Sequence, residues 1–204
     1  MYVKISTQEE IYAFAKETFR ELLEQSTKCI LQELNQKSNS IKKEFLQAVD
    51  SVLTLGYQMQ QRKEKEKVSF LHIFYLKSGL LTGTYELQIN LFDKRSYFDP
   101  QECYGFWIPT LFIKFFEEDI EKFYEKARKH LIQFGYAGKQ DVKLRYYDVY
   151  LAMIGQFIIK EGLEIIKLSS FQKLEKEENI MILFGGYLDQ AIRIYPPLPV
   201  EVAS

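Results

Sequence analysis

An α+β fold is predicted by two switches in hydrophobic period and by an unusual stock of large flat side chains. Apolar residues recur at helical spacing through residues 1–67, at strand spacing from Val68 to Phe92, and again at helical spacing from Pro109 to Lys167. Two shorter β-like runs follow before residue 195. Fourteen Tyr and sixteen Phe stand beside a single Trp, making the chain 15% aromatic, and each such ring can bury roughly 150–250 Å². The 204 residues suit one domain, which at this size buries about 70% of the surface of its unfolded chain. The expected architecture is an N-terminal helical hairpin and two further long helices packed on an antiparallel sheet of about four strands, built from two β-hairpins. That domain spans residues 1–195 and leaves 196–204 as a Pro-rich tail.

The first helix is announced by Thr7 and Glu10, a capping box in which hydroxyl and carboxylate satisfy first-turn amides. Ile11, Ala15, Phe19, Leu22, Leu23, Ile30 and Leu34 then recur at helical spacing. Lys37-Ser38-Asn39-Ser40 interrupts the pattern, and a second helix carries Phe45, Val49, Val52, Leu53, Gly56 and Met59 on one side. The closing run Arg62-Lys63-Glu64-Lys65-Glu66-Lys67 reads as a solvated helix end, since its charges alternate in sign.

Residues 68–93 read as the first β-hairpin. Val68 to Leu76 is β-rich and apolar on both faces. From Thr84 to Phe92, Thr84, Glu86, Gln88 and Asn90 alternate with Tyr85, Leu87, Ile89 and Leu91, so one face is polar. Asp99-Pro100-Gln101-Glu102 is read as a short helical turn capped by Asp99. Pro109 opens a long helix with the stripe Phe112, Phe116, Ile120, Phe123, Ala127, Leu131 and Phe134, ended by Gly135 or Gly138. The next helix begins near Asp141. Between Val149 and Ile159 it is apolar almost all round, which places Met153, Ile154 and Phe157 deep in the core. Gly155 and Gly162 mark places where another backbone approaches. Ile180–Phe184 and Ala191–Tyr195 form the second hairpin, and Pro196-Pro197-Leu198-Pro199 cannot enter a sheet interior.

Composition argues against several function classes. Net charge is −1 and evenly spread, with 11 Lys+Arg against 10 Asp+Glu in residues 1–67 and 16 against 18 in the remainder. Nucleic-acid binding normally shows a basic stripe, so no nucleic-acid partner is expected. The longest near-continuous apolar stretch, Val149 to Ile159, is eleven residues long and includes Gln156, short of the roughly 18–20 that span a bilayer. With only Cys29 and Cys103, no disulfide framework is expected, and the chain reads as cytoplasmic.

Chemistry-bearing motifs are sparse. His72 and His130 lack metal-ligand spacing, so no metal is expected. Neither a phosphate-binding glycine loop nor a nucleophile elbow occurs, and no cofactor or catalytic residue is assigned. Cys103, among Tyr104, Phe106 and Trp107, reads as a packed thiol; Cys29 reads as core or boundary. Glu117-Glu118-Asp119 cannot converge on one ion from a helix and reads as a solvated face. His130 near a helix end reads as a dipole partner.

Two candidate sites remain. If even-numbered strand residues pair with even-numbered ones, His72 joins Glu86, Gln88 and Asn90 on one face with Phe70 and Phe74, giving polar groups between aromatic walls. The opposite register disperses them. The second is the aromatic connection from Tyr97 to Trp107, where Tyr97, Tyr104 and Trp107 form a candidate interaction loop. The leading expectation is a non-enzymatic factor of accessory, inhibitor or immunity type that binds another protein through its helical hairpin or this loop, with a homo-oligomer as one form. The alternative is a small-molecule-binding domain or enzyme using the polar face of the first hairpin.

Overall fold

A computed structural model describes residues 6–132 and 135–197 of the chain. The elements are α1 (Gln8–Gln61), β1 (Val68–Tyr75), α2 (Lys77–Thr82), β2 (Leu87–Phe92), β3 (Tyr104–Trp107), α3 (Thr110–His130), α4 (Tyr136–Gly162), α5 (Ser169–Lys173), β4 (Lys176–Gly186) and β5 (Ala191–Tyr195). The fold is α+β. Phe134 and the tail from Leu198 onward lie outside the described residues.

The capping box forms: the Glu10 amide donates to Thr7 Oγ1 at 3.2 Å and the Thr7 amide to Glu10 Oε2 at 2.9 Å. Two helical stretches follow, parted where the sequence places the break: Lys37 leaves helical geometry, at φ −117° and ψ 17°, and kinks the run Gln8–Gln61.

The chain divides into two compact units, residues 1–38 with 110–154, and residues 39–109 with 155–204. In the first, aromatic stacking dominates. The Phe19 ring lies 4.4 Å from that of Phe123 and 3.6 Å from that of Tyr146, and Phe116 meets Tyr147 and Tyr150 edge-on. Phe112, Phe116, Ile120, Phe123 and Ala127 are buried as their spacing predicts. Helix α3 ends at His130, however, and α4 already begins at Tyr136, which takes Gly138 into a helix. Nor is the later part of α4 covered all round. Ile154 and Phe157 are buried, but Met153 is half-buried, and Val149 and Ile159 are exposed. Apolar composition on every side did not translate into burial on every side.

The second unit holds a five-stranded mixed sheet, ordered β3-β2-β1-β4-β5. β1 pairs antiparallel with β2 and parallel with β4; β2–β3 and β4–β5 are antiparallel. Both expected hairpin pairings are present. They join through a parallel contact, and a fifth strand comes from the aromatic connection. The β1–β2 link folds into α2, closed by Gly83 in the left-handed region at φ 78°, so β2 starts at Leu87 and Thr84 and Glu86 lie before it.

One face of the sheet is dry. Leu71, Ile73, Leu87, Ile89, Leu91, Ile182, Phe184 and Ile194 are buried there. Trp107 forms a cluster with Phe45 and Phe157, its ring centroid 4.9 and 5.8 Å from theirs. A Cβ on Gly56 would come within 2.5 Å of Leu91, and one on Gly155 within 2.7 Å of the Phe184 ring. These two glycines let α1 and α4 approach the sheet, but what meets Gly155 is the Phe184 ring and not the neighbouring backbone expected from sequence. The other face of the sheet carries the candidate site.

Candidate functional site

The strand register is the even-to-even one. His72 stands opposite Asn90, Phe74 opposite Gln88 and Phe70 opposite Phe92. Pleating then puts all six on one face. Extending the register across the sheet aligns Tyr104, Asn90, His72, Leu183 and Arg193 in a transverse row, one residue from each strand. Phe106, Gln88, Phe74, Gly185 and Ala191 form the next row. Glu86 precedes β2 and is half-buried, outside this paired set.

His72 and Asn90 are deeply placed for polar residues, at 4% and 5% exposure. Two tyrosines from turns close over this face. Tyr97, in a 3-10 turn at Ser96–Phe98, has its ring 5.9 Å from His72, 5.3 Å from Phe92 and 5.3 Å from Tyr187. Tyr187, in the β4–β5 turn, lies 5.2 Å from Phe74. The Tyr97 hydroxyl accepts the Leu188 amide at 3.4 Å and sits 3.2 Å from His72 Nδ1. The hydroxyl can donate to Nδ1 or accept from it, according to the tautomer of the ring. Burial holds the imidazole neutral, its pKa lowered to about 4. The remaining proton of a neutral ring whose Nδ1 accepts must sit on Nε2.

The turn carrying Tyr97 is anchored from below. Asp99 Oδ2 accepts the Lys65 ammonium at 2.7 Å and the Asp93 amide at 2.9 Å, while Oδ1 accepts the Gln101 amide at 2.9 Å. The expected helical turn at 99–102 is therefore absent. Asp99 bridges its own backbone two residues on, as Asp does in turns, and is further held by Lys65. Lys65 corrects a second expectation, because its side chain is fully buried rather than part of a solvated helix end.

The interaction-loop residues separate. Tyr97 covers His72, and Tyr104 is exposed on the open face at 42%. Trp107 is buried on the helix-covered face, with an indole N–H that meets no acceptor among the described residues. Phe106, 47% exposed, has its ring edge-to-face with Tyr104 at 5.5 Å. Cys103 is buried and its thiol is pushed up to about 11 by that burial, which removes the thiolate that nucleophilic chemistry needs. Cys29 is exposed rather than core. His130 caps the end of α3, with Nδ1 2.9 Å from the Lys126 carbonyl, and stacks on Phe14.

Asp119 is the clearest departure from the sequence reading. It is fully buried in the first unit and accepts hydroxyl protons from Ser26 (2.7 Å), Tyr146 (2.7 Å) and Tyr150 (2.8 Å). Both tyrosines are pushed far above the ordinary phenol range, first by burial and then by the adjacent carboxylate.

Among the described residues no group of three or more His, Cys, Asp or Glu is placed to hold a metal ion, and no helix is long and apolar enough to cross a membrane. Three surface cavities of about 500, 580 and 340 Å³ lie in the second unit. None of these three is lined by His72, Glu86, Gln88 or Asn90. No protein-family model, curated protein or solved structure matches the chain.

Proposed function

We propose that this chain is a non-enzymatic protein-binding factor that takes an extended segment of its partner as an additional strand along β3. The observation that carries this reading is the direction of the β3 backbone. The Leu91 amide donates to the Cys103 carbonyl at 2.9 Å, and the two residues are in register. In an antiparallel ladder hydrogen-bonded and non-hydrogen-bonded pairs alternate, so Gly105 and Trp107 also bond toward β2. The amide and carbonyl groups of Tyr104 and Phe106 then face the free edge of the sheet.

Protein edges usually carry devices against unwanted pairing, chiefly Lys, Pro or an inward charge. β3 carries no Lys, Pro or inward charge, and its one protective feature is its length of four residues, Tyr-Gly-Phe-Trp. Its two outward-facing backbone positions are also its two exposed rings, so an added strand gains hydrogen bonds and cross-strand aromatic contacts together, the latter contributing roughly 0.2–1 kcal/mol each. Phe98, 87% exposed in the adjoining turn, adds a further aromatic anchor. A second copy of this chain is the other strand donor this edge accepts.

Phe106→Pro tests the reading. It removes the outward-facing amide together with the exposed ring, and an edge strand tolerates a proline whose missing N–H faces away from its neighbour. Partners captured from the native host by the wild-type chain should be lost by Phe106→Pro, and the Tyr104 and Phe106 amides should gain protection from hydrogen exchange in the complex. Capture unaffected by the proline, or amides that stay unprotected, would overturn the proposal. Concentration-dependent sedimentation separates the homo-oligomeric outcome.

A further inference from the structure

The row through His72 contains an imbalance that the strand-addition reading does not use. Three of its polar atoms are buried without a partner among the described residues: His72 Nε2, Asn90 Nδ2 and Arg193 Nε. Asn90 Nδ2 and Arg193 Nε are donors, and His72 Nε2 is a third in the tautomer whose Nδ1 accepts from the Tyr97 hydroxyl. The Asn90 carbonyl faces the Gln88 amide at 3.5 Å, and its own NH2 is buried without a partner among the described residues. Arg193 Nε is a donor in every state. Buried polar groups are almost always satisfied, and an isolated orphan is ordinarily a packing defect. Orphans of one sign, aligned on one row of one sheet face, instead describe the complement of an acceptor.

The surroundings define the rest of the ligand. Phe70, Phe74, Phe92 and Tyr97 flank the pair, giving flat apolar walls. His72 and Asn90 are direct cross-strand neighbours. Arg193 lies two strands away from His72, about 10 Å at ordinary strand spacing, and supplies the only formal charge on the row. We infer that the open sheet face binds a small carboxylate with a flat, aromatic body. Its carboxylate oxygens accept from His72 Nε2–H and Asn90 Nδ2–H, and the Arg193 guanidinium balances its charge. Binding is non-covalent, and no proton is transferred.

Access is a matter of turns rather than strands. The two covering rings belong to the Ser96–Phe98 turn and to the β4–β5 turn, where Leu188 holds a left-handed φ of 54°. Rotation of the Tyr187 side chain alone, with the turn backbone held, leaves the Leu188–Tyr97 and Tyr97–His72 contacts in place. This site is independent of the β3 edge: strand addition needs only the outward backbone of Tyr104 and Phe106.

Benzoate is the probe, with benzyl alcohol as the matched compound lacking the carboxylate. On the full-length 15N-labelled chain, benzoate should produce saturable shifts of the Asn90 side-chain amide and the His72 imidazole nitrogens, while benzyl alcohol should not. Asn90→Leu and Arg193→Gln should each weaken benzoate about tenfold or more, the ordinary consequence of losing a hydrogen bond to a charged acceptor. Absence of saturable shifts at Asn90 and His72 in the wild-type chain overturns the proposal, whatever the variants do. So do shifts confined to other residues, equal shifts from benzyl alcohol, or folded variants that bind as well as wild type. Partner capture should survive Asn90→Leu, so failure here leaves the β3 reading standing and failure there leaves this one.

Discussion

Lys65 and Asp99 form an ion pair in which neither partner meets solvent: Nζ lies 2.7 Å from Oδ2, with the side chains 0% and 1% exposed. The pair is satisfied on both sides. Lys65 also donates to the Gln101 carbonyl at 2.9 Å, and Asp99 accepts two backbone amides besides the ammonium. The two partners are not equivalent in what they leave behind. Asp99→Ala strands a buried ammonium and two amides, and is expected to cost about 3–5 kcal/mol in urea unfolding. Lys65→Met leaves Asp99 with its two amide donors and should cost less. Equal losses would mean that the charge pairing matters little and the turn is held by its backbone alone.

Asp119 is stabilised by hydroxyls rather than by a cation. Removing it in Asp119→Ala strands three buried hydroxyls and opens a cavity, for an expected loss of about 3 kcal/mol or more. Asp119→Asn keeps an acceptor toward Tyr146 and Tyr150, while the Ser26 hydroxyl can turn to accept from the new NH2, so its loss should be clearly smaller. Chemical denaturation of the two variants checks the order. A neutral Ala variant would show that the cage is not needed for the fold.

His72 makes stability depend on pH in a stated window. Its ordinary pKa of 6.5 is lowered to about 4 in the folded chain by burial. Between those values the unfolded chain binds a proton that the folded chain does not, so stability is full above pH 6.5 and falls as pH drops toward 4. The loss attributable to this group is on the order of 3 kcal/mol. His72→Gln should flatten that part of the profile in denaturant titrations at pH 4–7. A slope unchanged by the substitution would assign the dependence to other groups.

The sequence displayed most of this fold because period is a local property. The alternation Leu87, Ile89, Leu91 against Gln88, Asn90 is visible in any window, and so is the α3 stripe of Phe112, Phe116, Ile120 and Phe123. What could not be read were facts that depend on distant partners. Lys65 looks solvated until Asp99, 34 residues later, is placed over it. Asp119 looks like one of three surface acids until Ser26, Tyr146 and Tyr150 converge on it. β3 was hidden because four residues between a turn and Pro109 show no period, and Trp107 drew attention as a loop residue when its indole faces the helices. The His72–Asn90 pairing was conditional on register, which a connection containing α2 does not reveal. Arg193 and Tyr187 were missed altogether. Their only local trace is the Gly185-Gly186 pair that ends β4 ahead of Tyr187 and the alternation of Ala191 to Tyr195.

The parallel pairing of β1 with β4 sets an order of events during biosynthesis. Phe70 must find Met181, more than a hundred residues further along the chain, whereas β1, β2 and β3 follow one another closely. A ribosome therefore releases an incomplete sheet whose central strand is bare along one side until β4 emerges. Contacts of such long sequence separation close slowly, and unpaired strands are where nascent chains associate wrongly. The chain's exposure to misassembly is thus greatest in the interval between the emergence of β1 and that of β4.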